Sequence, residues 1–374
     1  MSQFDQLAPT HDALWSFFMR GPLGLAAFFF MQPETDVSGA SLGAETPPNS
    51  HEAFSRPIEA SRAAMCAPAT SLQPIVRESG GPHWMNGQFD HDGGIYDFKV
   101  YVPSAYAGQP LPMIVMLHGA QQDPEDFAAG TEMNATAEAE GYIVVYPRQT
   151  ESANPLRCWN WFRLNDQLRA SGETAMIAAL TREVMAAYNV DPSRVYVAGM
   201  SAGGAMAVNL AVTHPDLYAA GAVHSGVAYG VAAEPLSALC AMNDGMGTVR
   251  LPEALPNRRP SRTVPLIVFH GDADDTVHPA NSEQVVAMNQ LLFDGSGNAR
   301  PPGLTHHDKI EGGYAYTRSL FHDHDGLPFV EHWLVHGLGH AWSGGNPAGT
   351  FTDERGPIAS REIVRFFGLF TLGR

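Results

Sequence analysis

The chain has 374 residues, 44% of them hydrophobic, and a formal net charge of −17. That length can bury a sizeable apolar core, and the acidic surplus, with no block of Lys or Arg, argues against a nucleic-acid partner held through its phosphates. Three widely spaced cysteines, Cys66, Cys158 and Cys240, exclude a disulfide framework and a thiolate zinc site; buried free thiols are expected, with one Cys158–Cys240 bridge as the alternative.

Residues 23–31 (LGLAAFFFM) are strongly apolar and follow Arg20. Asp5 precedes them, no Lys or Arg occurs before Arg20, and Gly21-Pro22 interrupts the run, which is not the pattern of an export signal. The stretch is also too short to cross a bilayer, so no transmembrane segment is expected. It reads as an amphipathic or docking element, and a cytoplasmic location is favoured over unusual export. Residues 32–81 are rich in Pro, Ser, Ala and Glu without apolar periodicity, as a linker would be. Residues 1–84 are therefore expected to form an N-terminal extension, and residues 85–374 the main folded domain.

Residues 88–90 and 94–102 alternate apolar and polar with a period near two, the mark of half-buried antiparallel strands. Continuous apolar runs at 113–117, 142–146, 195–198 and 265–270 read as buried strands, as does 329–335. Between and after them, residues 127–140, 173–188, 202–212, 282–292 and 360–370 read as helices. Antiparallel strands followed by repeated βα units predict an α/β protein, a doubly wound, mostly parallel sheet with helices on both faces.

The motif 199–203 (GMSAG) matches G-x-S-x-G and stands between the strand at 195–198 and the helix at 202–212. That context predicts a nucleophile elbow: a sharp strand-to-helix turn, made possible by glycine, that presents the Ser201 hydroxyl at the sheet edge. In an α/β-hydrolase the acid and then the histidine follow the serine in the chain. The strand at 265–270 is followed by Asp272, Asp274 and Asp275, of which Asp274 is favoured as the acid. Residues 335–345 (VHGLGHAWSGG) place His340, favoured over His336, in a glycine-rich loop. His340 would take the serine proton while Asp274 fixes its tautomer. The oxyanion would be held by backbone N–H groups, one from Ala202 and another from the loop carrying Ala120 and Gln121, with His118 a structural hydrogen-bonding residue. Trp159, Trp161 and Trp342 are candidate walls of a substrate groove, core packing being the rival role. His306-His307 and the histidines at 322 and 324 read as solvated loops rather than metal ligands. No cofactor and no metal is implied.

These residues resemble the polyhydroxybutyrate depolymerase family of esterases. The likeness is carried by Leu117-His118-Gly119 with Gln121, residues 126–131 (DFAAGT) with Met133-Asn134, Tyr146-Pro147 and residues 158–162 (CWNWF). It continues through Asp191-Pro192 with Arg194-Val195-Tyr196, Ser201-Ala202-Gly203-Gly204, Pro215-Asp216-Leu217 and residues 339–345 (GHAWSGG). The resemblance implies that Ser201, Asp274 and His340 correspond to the family triad, and that esters of short-chain polyhydroxyalkanoates or similar aliphatic esters are hydrolysed. Many relatives have cysteine where this chain has Ala120, so Cys158 lacks that disulfide partner here; the oxyanion donors are backbone groups, which leaves the chemistry untouched. A feruloyl or acetyl-xylan esterase, a generic carboxylesterase, a peptidase of the same fold and a non-enzymatic polymer binder are the alternatives.

Overall fold

The computed structural model describes residues 82–251, 262–294, 301–323 and 325–373. Residues 23–31, Cys66 and His324 lie outside them, as does nearly all of the expected extension. The described chain opens on a hairpin of β1 (His83–His91) and β2 (Gly94–Val102), with His91 paired to Gly94 across Asp92-Gly93. Both turn residues have positive φ, 50° and 78°, as a two-residue turn matched to strand twist requires.

Strands and helices then alternate: β3 (Leu111–Leu117), α1 (Pro124–Thr131), α2 (Met133–Glu140), β4 (Ile143–Pro147), α3 (Gly172–Ala187), β5 (Val190–Met200) and α4 (Ala202–Thr213). They continue through β6 (Ala220–His224), α5 (Pro235–Asp244), β7 (Leu266–Gly271) and α6 (Ala280–Asp294). Next come β8 (Leu304–Lys309), β9 (Ala315–His322) and β10 (Pro328–His336), then the short pair β11 (Trp342–Ser343) and β12 (Thr352–Asp353), and finally α7 (Ala359–Phe367). The main sheet runs β1-β2-β4-β3-β5-β6-β7-β10-β9-β8. From β4 to β10 all neighbours are parallel, and the strands outside them at both ends are antiparallel. This is the α/β-hydrolase architecture.

Successive side chains of a strand point to opposite faces, and β3 divides its residues accordingly. Met113, Val115 and Leu117 pack with Trp159, Trp161 and α4 on one face. Ile114 and Met116 pack with Trp342 and α7 on the other. All of α4 except Val212 is buried, which explains its mostly apolar composition and pins the start of this helix beneath the carboxyl edge of the sheet.

The helix expected over 127–140 is two. Glu132 takes φ 50° and separates α1 from α2, and Gly130 meets the later chain so closely that a Cβ there would stand 2.8 Å from Thr352 Cγ2. β6, β8, β9 and α5 were not anticipated. His306 and His307 lie on the exposed strand β8 rather than in a loop, and His307 Nδ1 is 2.9 Å from Thr317 Oγ1. Among the described residues no group of three or more His, Cys, Asp or Glu is placed to hold a metal, and no helix is long and apolar enough to cross a membrane.

Candidate active site

β5 ends at Met200 and α4 begins at Ala202, so Ser201 makes the whole turn, with φ 54° and ψ −119°. Such a conformation costs a non-glycine residue about 1–3 kcal/mol and survives only where the surroundings impose it. Here the Ser201 N–H donates to His224 O at 2.8 Å, and its carbonyl accepts from Ala205 N–H at 2.9 Å. A Cβ on Gly199 would lie 2.2 Å from Gly203 O, and one on Gly203 would lie 2.0 Å from Leu117 O. Gly199 is thus a steric requirement of the turn itself, and Gly203 one of packing the start of α4 against the end of β3. Gly203→Ala is expected to lower Tm by about 10 °C, because the clash is with rigid backbone; a melting curve within 2 °C of the parent, roughly the effect of 1 kcal/mol or less, would contradict this account.

The ends of β7 and β10 bring two aspartates and two histidines together as parallel pairs. His340 Nδ1 is 2.7 Å from Asp274 Oδ2, and His336 Nδ1 is 2.7 Å from Asp272 Oδ2. The Asp272 pair is solvent-accessible, and His336 Nε2 is engaged at 2.9 Å with Thr317 Oγ1. The Asp274 side chain is fully buried. Its Oδ1 accepts the N–H groups of Thr276 at 3.0 Å and Val277 at 2.8 Å. His270, also fully buried, donates from Nε2 to Val277 O at 2.8 Å and stands 3.4 Å from Asp274 Oδ2. Burial opposes ionisation of Asp274, but hydrogen bonds from His270 and His340, with the attraction of both rings, outweigh it and hold the carboxyl far below the usual range. Asp275 is exposed and contacts only the neighbouring Thr276 hydroxyl among the described residues, at 3.5 Å.

The loop after β3 also comes close to Ser201, a Cβ on Gly119 standing 3.6 Å from Ser201 Cβ, and carries candidate backbone donors. The Gln121 N–H donates to Leu156 O at 2.6 Å, so the expectation that Gln121 is an oxyanion donor is corrected: that group is already engaged. The Gly119 N–H donates to Gln122 Oε1 and the Gln122 N–H to Gly119 O. Ala120 is left as the residue of this loop whose N–H has no partner among the described residues, and Ala202 is in the same state at the start of α4, where the helix dipole also favours negative charge.

Beneath the loop, His118 Nε2 accepts Gln149 N–H at 3.1 Å, so Nδ1 carries the proton and donates to Gly119 O at 2.8 Å. Burial pushes His118 down to about 4 and keeps the ring neutral. His224 behaves alike, accepting Ser343 N–H on Nε2 at 3.0 Å and pushed down to about 3 by burial and by the nearby His270 and His340.

Ser201, His340, Ala120 and Ala202 border one cavity of about 180 Å³, whose walls include Leu156, Trp161, Met242, Val277 and Phe351. Of the three tryptophans expected to line a groove, only Trp161 does. Trp159 is fully buried behind the wall and donates from Nε1 to His118 O at 3.1 Å. Trp342 packs into the core on the other face of the sheet, stacked on His224 with centroids 5.0 Å apart, its Nε1 donating to Ser360 Oγ. The reasons differ: Trp342 shows that adjacency to a site residue in sequence does not set which face of the sheet a side chain enters, whereas Trp159 shares the face of Trp161 and is buried in the core there. Cys158 also borders the cavity, and burial pushes its thiol up to about 12, an unreactive state. Cys240 is exposed, not buried as expected, and neither thiol is bridged. His270, Phe351, Leu156 and Met242 were missed as site residues. His270 alone left a sequence signal, four positions before Asp274 at the end of a strand.

A family model described as Esterase PHB depolymerase matches residues 96–307. The chain belongs to that family. Poly(3-hydroxyalkanoate) depolymerase C of Paucimonas lemoignei is 30% identical over 296 residues, covering 74% of this chain and 67% of that protein. Feruloyl esterase B of Neurospora crassa is 34% identical over 293 residues, covering 72% of this chain and 86% of its own. Among solved structures, an acetyl xylan esterase from Aspergillus awamori superposes with a TM-score of 0.58 at 22% identity, over 77% of this chain and 99% of that one, a likeness of fold. As a member of the PHB depolymerase esterases, the protein is a carboxylic ester hydrolase. The expected cytoplasmic location gains no support from these relatives.

Proposed function

We propose that this esterase hydrolyses short-chain polyhydroxyalkanoates and their oligomers through Ser201, His340 and Asp274. The observation that carries the proposal is the convergence on one apolar cavity of a serine on a strained elbow, a histidine backed by a buried carboxylate, and two N–H groups without a partner among the described residues. His340, with Nδ1–H donated to Asp274, has its basic Nε2 available. It takes the Ser201 proton as Oγ bonds to the ester carbonyl carbon, and the carbonyl oxygen becomes an alkoxide held by the Ala120 and Ala202 N–H groups. Each such donor contributes about 3–4 kcal/mol to lowering the barrier. Collapse breaks the bond to the alcohol, which leaves with the proton from His340. Water then repeats the steps on the acyl-enzyme and releases the acid.

The cavity of about 180 Å³ is comparable with an engineered apolar cavity of about 150 Å³ that admits benzene, and its apolar walls suit a four-carbon hydroxyacyl unit. A second reading, hydrolysis of aromatic feruloyl esters, is favoured by the aromatic walls Trp161 and Phe351 and by the greater identity to the feruloyl esterase than to the depolymerase. The test is a substrate panel of polyhydroxybutyrate film, p-nitrophenyl butyrate, methyl ferulate and acetylated xylan. Film clearing and butyrate hydrolysis are expected to dominate; kcat/KM on methyl ferulate about tenfold above butyrate, equivalent to roughly 1.4 kcal/mol of transition-state preference, would select the second reading.

A further inference from the structure

We propose that Glu173, in the first turn of α3, is a positioning residue that aims the Ala120 N–H and holds the cavity wall through hydrogen bonds to Gln149 and Asn160. The inference rests on the reading of Ala120 as an oxyanion donor. Part of Glu173 reaches solvent, yet its carboxyl group is enclosed and receives three hydrogen bonds. Oε1 accepts from Gln149 Nε2 and Asn160 Nδ2, both at 2.6 Å, and Oε2 accepts the Asn160 N–H at 2.7 Å.

All three donors belong to the stretch between β4 and α3, where the described regular structure is a single 3₁₀ turn, Leu164–Gln167. Backbone polar groups in such a segment depend on side chains for their partners. Two chains of contacts run from this clamp to the oxyanion loop. The Gln149 N–H fixes His118 Nε2, which commits Nδ1–H to Gly119 O. A trans peptide is planar, with its C=O and N–H pointing in opposite directions, so anchoring the Gly119 carbonyl below aims the Ala120 N–H of the same peptide the other way. In the second chain, Asn160 Oδ1 accepts from Asn154 Nδ2, Asn154 Oδ1 accepts the Leu156 N–H, and Leu156 O accepts the Gln121 N–H. Leu156, Cys158 and Trp161, from the clamped stretch, border the cavity.

Enclosure, and then the charge of Asp166, push the Glu173 carboxyl up to about 7 against the hydrogen bonds that favour its ionisation. The titratable and charged groups around it are Asp166, whose Oδ1 accepts the Glu173 N–H at 2.7 Å, the Cys158 thiol, His118 beyond Gln149, and Arg163, whose charge acts on Asp166 and Cys158. A carboxyl raised in the folded state favours folding least when ionised. Its contribution is fully present below its unfolded pKa of about 4.3 and is lost as pH rises through about 7.

Glu173→Gln places an amide donor against donors. Measured on p-nitrophenyl butyrate and normalised to sites titrated with a fluorophosphonate, the variant is expected to lose about tenfold in kcat with KM changed less than twofold, because a misaimed oxyanion donor is missed chiefly in the transition state. Its Tm is also expected to fall less than the parent's between pH 5 and pH 8, the ionising carboxyl being gone. Gln149→Leu, which leaves Glu173 in place and cuts the contact, is expected to show the same kcat loss and serves if Glu173→Gln does not fold. A turnover per titrated site within twofold of the parent, or a loss explained wholly by fewer titrated sites, overturns the proposal. Ser201→Ala is assayed alongside: retained turnover there would instead overturn the reading of the site itself.

Discussion

Ser201→Ala is expected to lower kcat for p-nitrophenyl butyrate by about 10⁶-fold, the loss typical of removing the nucleophile from a unit that acts together. The substitution isolates the chemistry because, among the described residues, no hydrogen bond that holds the turn uses the hydroxyl. The Ser201 side chain makes no capping hydrogen bond to α4, and the bonds that hold the turn use its backbone N–H and carbonyl, which alanine retains. Alanine has the same Cβ and experiences the same φ of 54°, so Tm is expected to stay within about 2 °C of the parent, as for a change of well under 1 kcal/mol. Covalent labelling by a fluorophosphonate is expected to vanish with the hydroxyl, while adsorption to polyester film persists. Residual kcat above about 1% of the parent, or labelling that survives the change, would show that another group is the nucleophile; a removed catalytic member normally costs far more.

Asp274→Asn is expected to lower kcat by about 10⁴-fold with little change in fold, the size of effect seen when the imidazole is held in the wrong tautomer. The structure supplies the reason that the tautomer must be wrong. Asp274 Oδ1 accepts two backbone N–H groups, from Thr276 and Val277, so an asparagine keeps its oxygen there and turns its amide toward His340 Nδ1. That amide donates, His340 must accept on Nδ1, and its proton moves to Nε2, where a lone pair is needed. The carboxyl depressed in the folded state also has a signature in stability. Its contribution is present above the unfolded pKa of about 3.9 and is lost as pH falls below it, so parent and variant should converge in Tm in acid. Asp272→Asn is the control: that carboxylate holds His336 at the solvent-exposed edge, and less than a tenfold effect is expected for a pair outside the cavity. Comparable losses from the two variants would remove the distinction between the pairs.

Sequence legibility followed the range of the forces involved. The elbow at Ser201 was readable because strand, turn and helix are contiguous in the chain and Gly199 is required by a contact within the motif, although the contact that requires Gly203 is with Leu117 at the end of the distant β3. The alternation of buried strands and helices was readable for the same reason, each element carrying its own period. β6 was not, since Ala220–His224 is short and built of small residues without a β-branched run. β8 escaped because its residues are all exposed and lack alternation. At the acid and the base, the chain order narrowed the field to three aspartates and two histidines. Only the folded ends of β7 and β10 sorted four of them into two pairs and put the histidine of one pair, His340, on the cavity that Ser201 also borders.

The strand-turn-helix motif and the strands of the parallel core were thus written in residues close together in sequence, and the order of candidate serine, acids and histidines could be read along the chain. Tertiary structure alone decided that Gln121 has its N–H taken by Leu156, that Trp161 reaches the cavity while Trp159 and Trp342 enter opposite cores, that His270 stands beside Asp274 and that Glu173 accepts from Gln149. Hydrogen-bond partners and cavity walls come from segments distant in the chain, and no periodicity within one segment records which other segment it will meet.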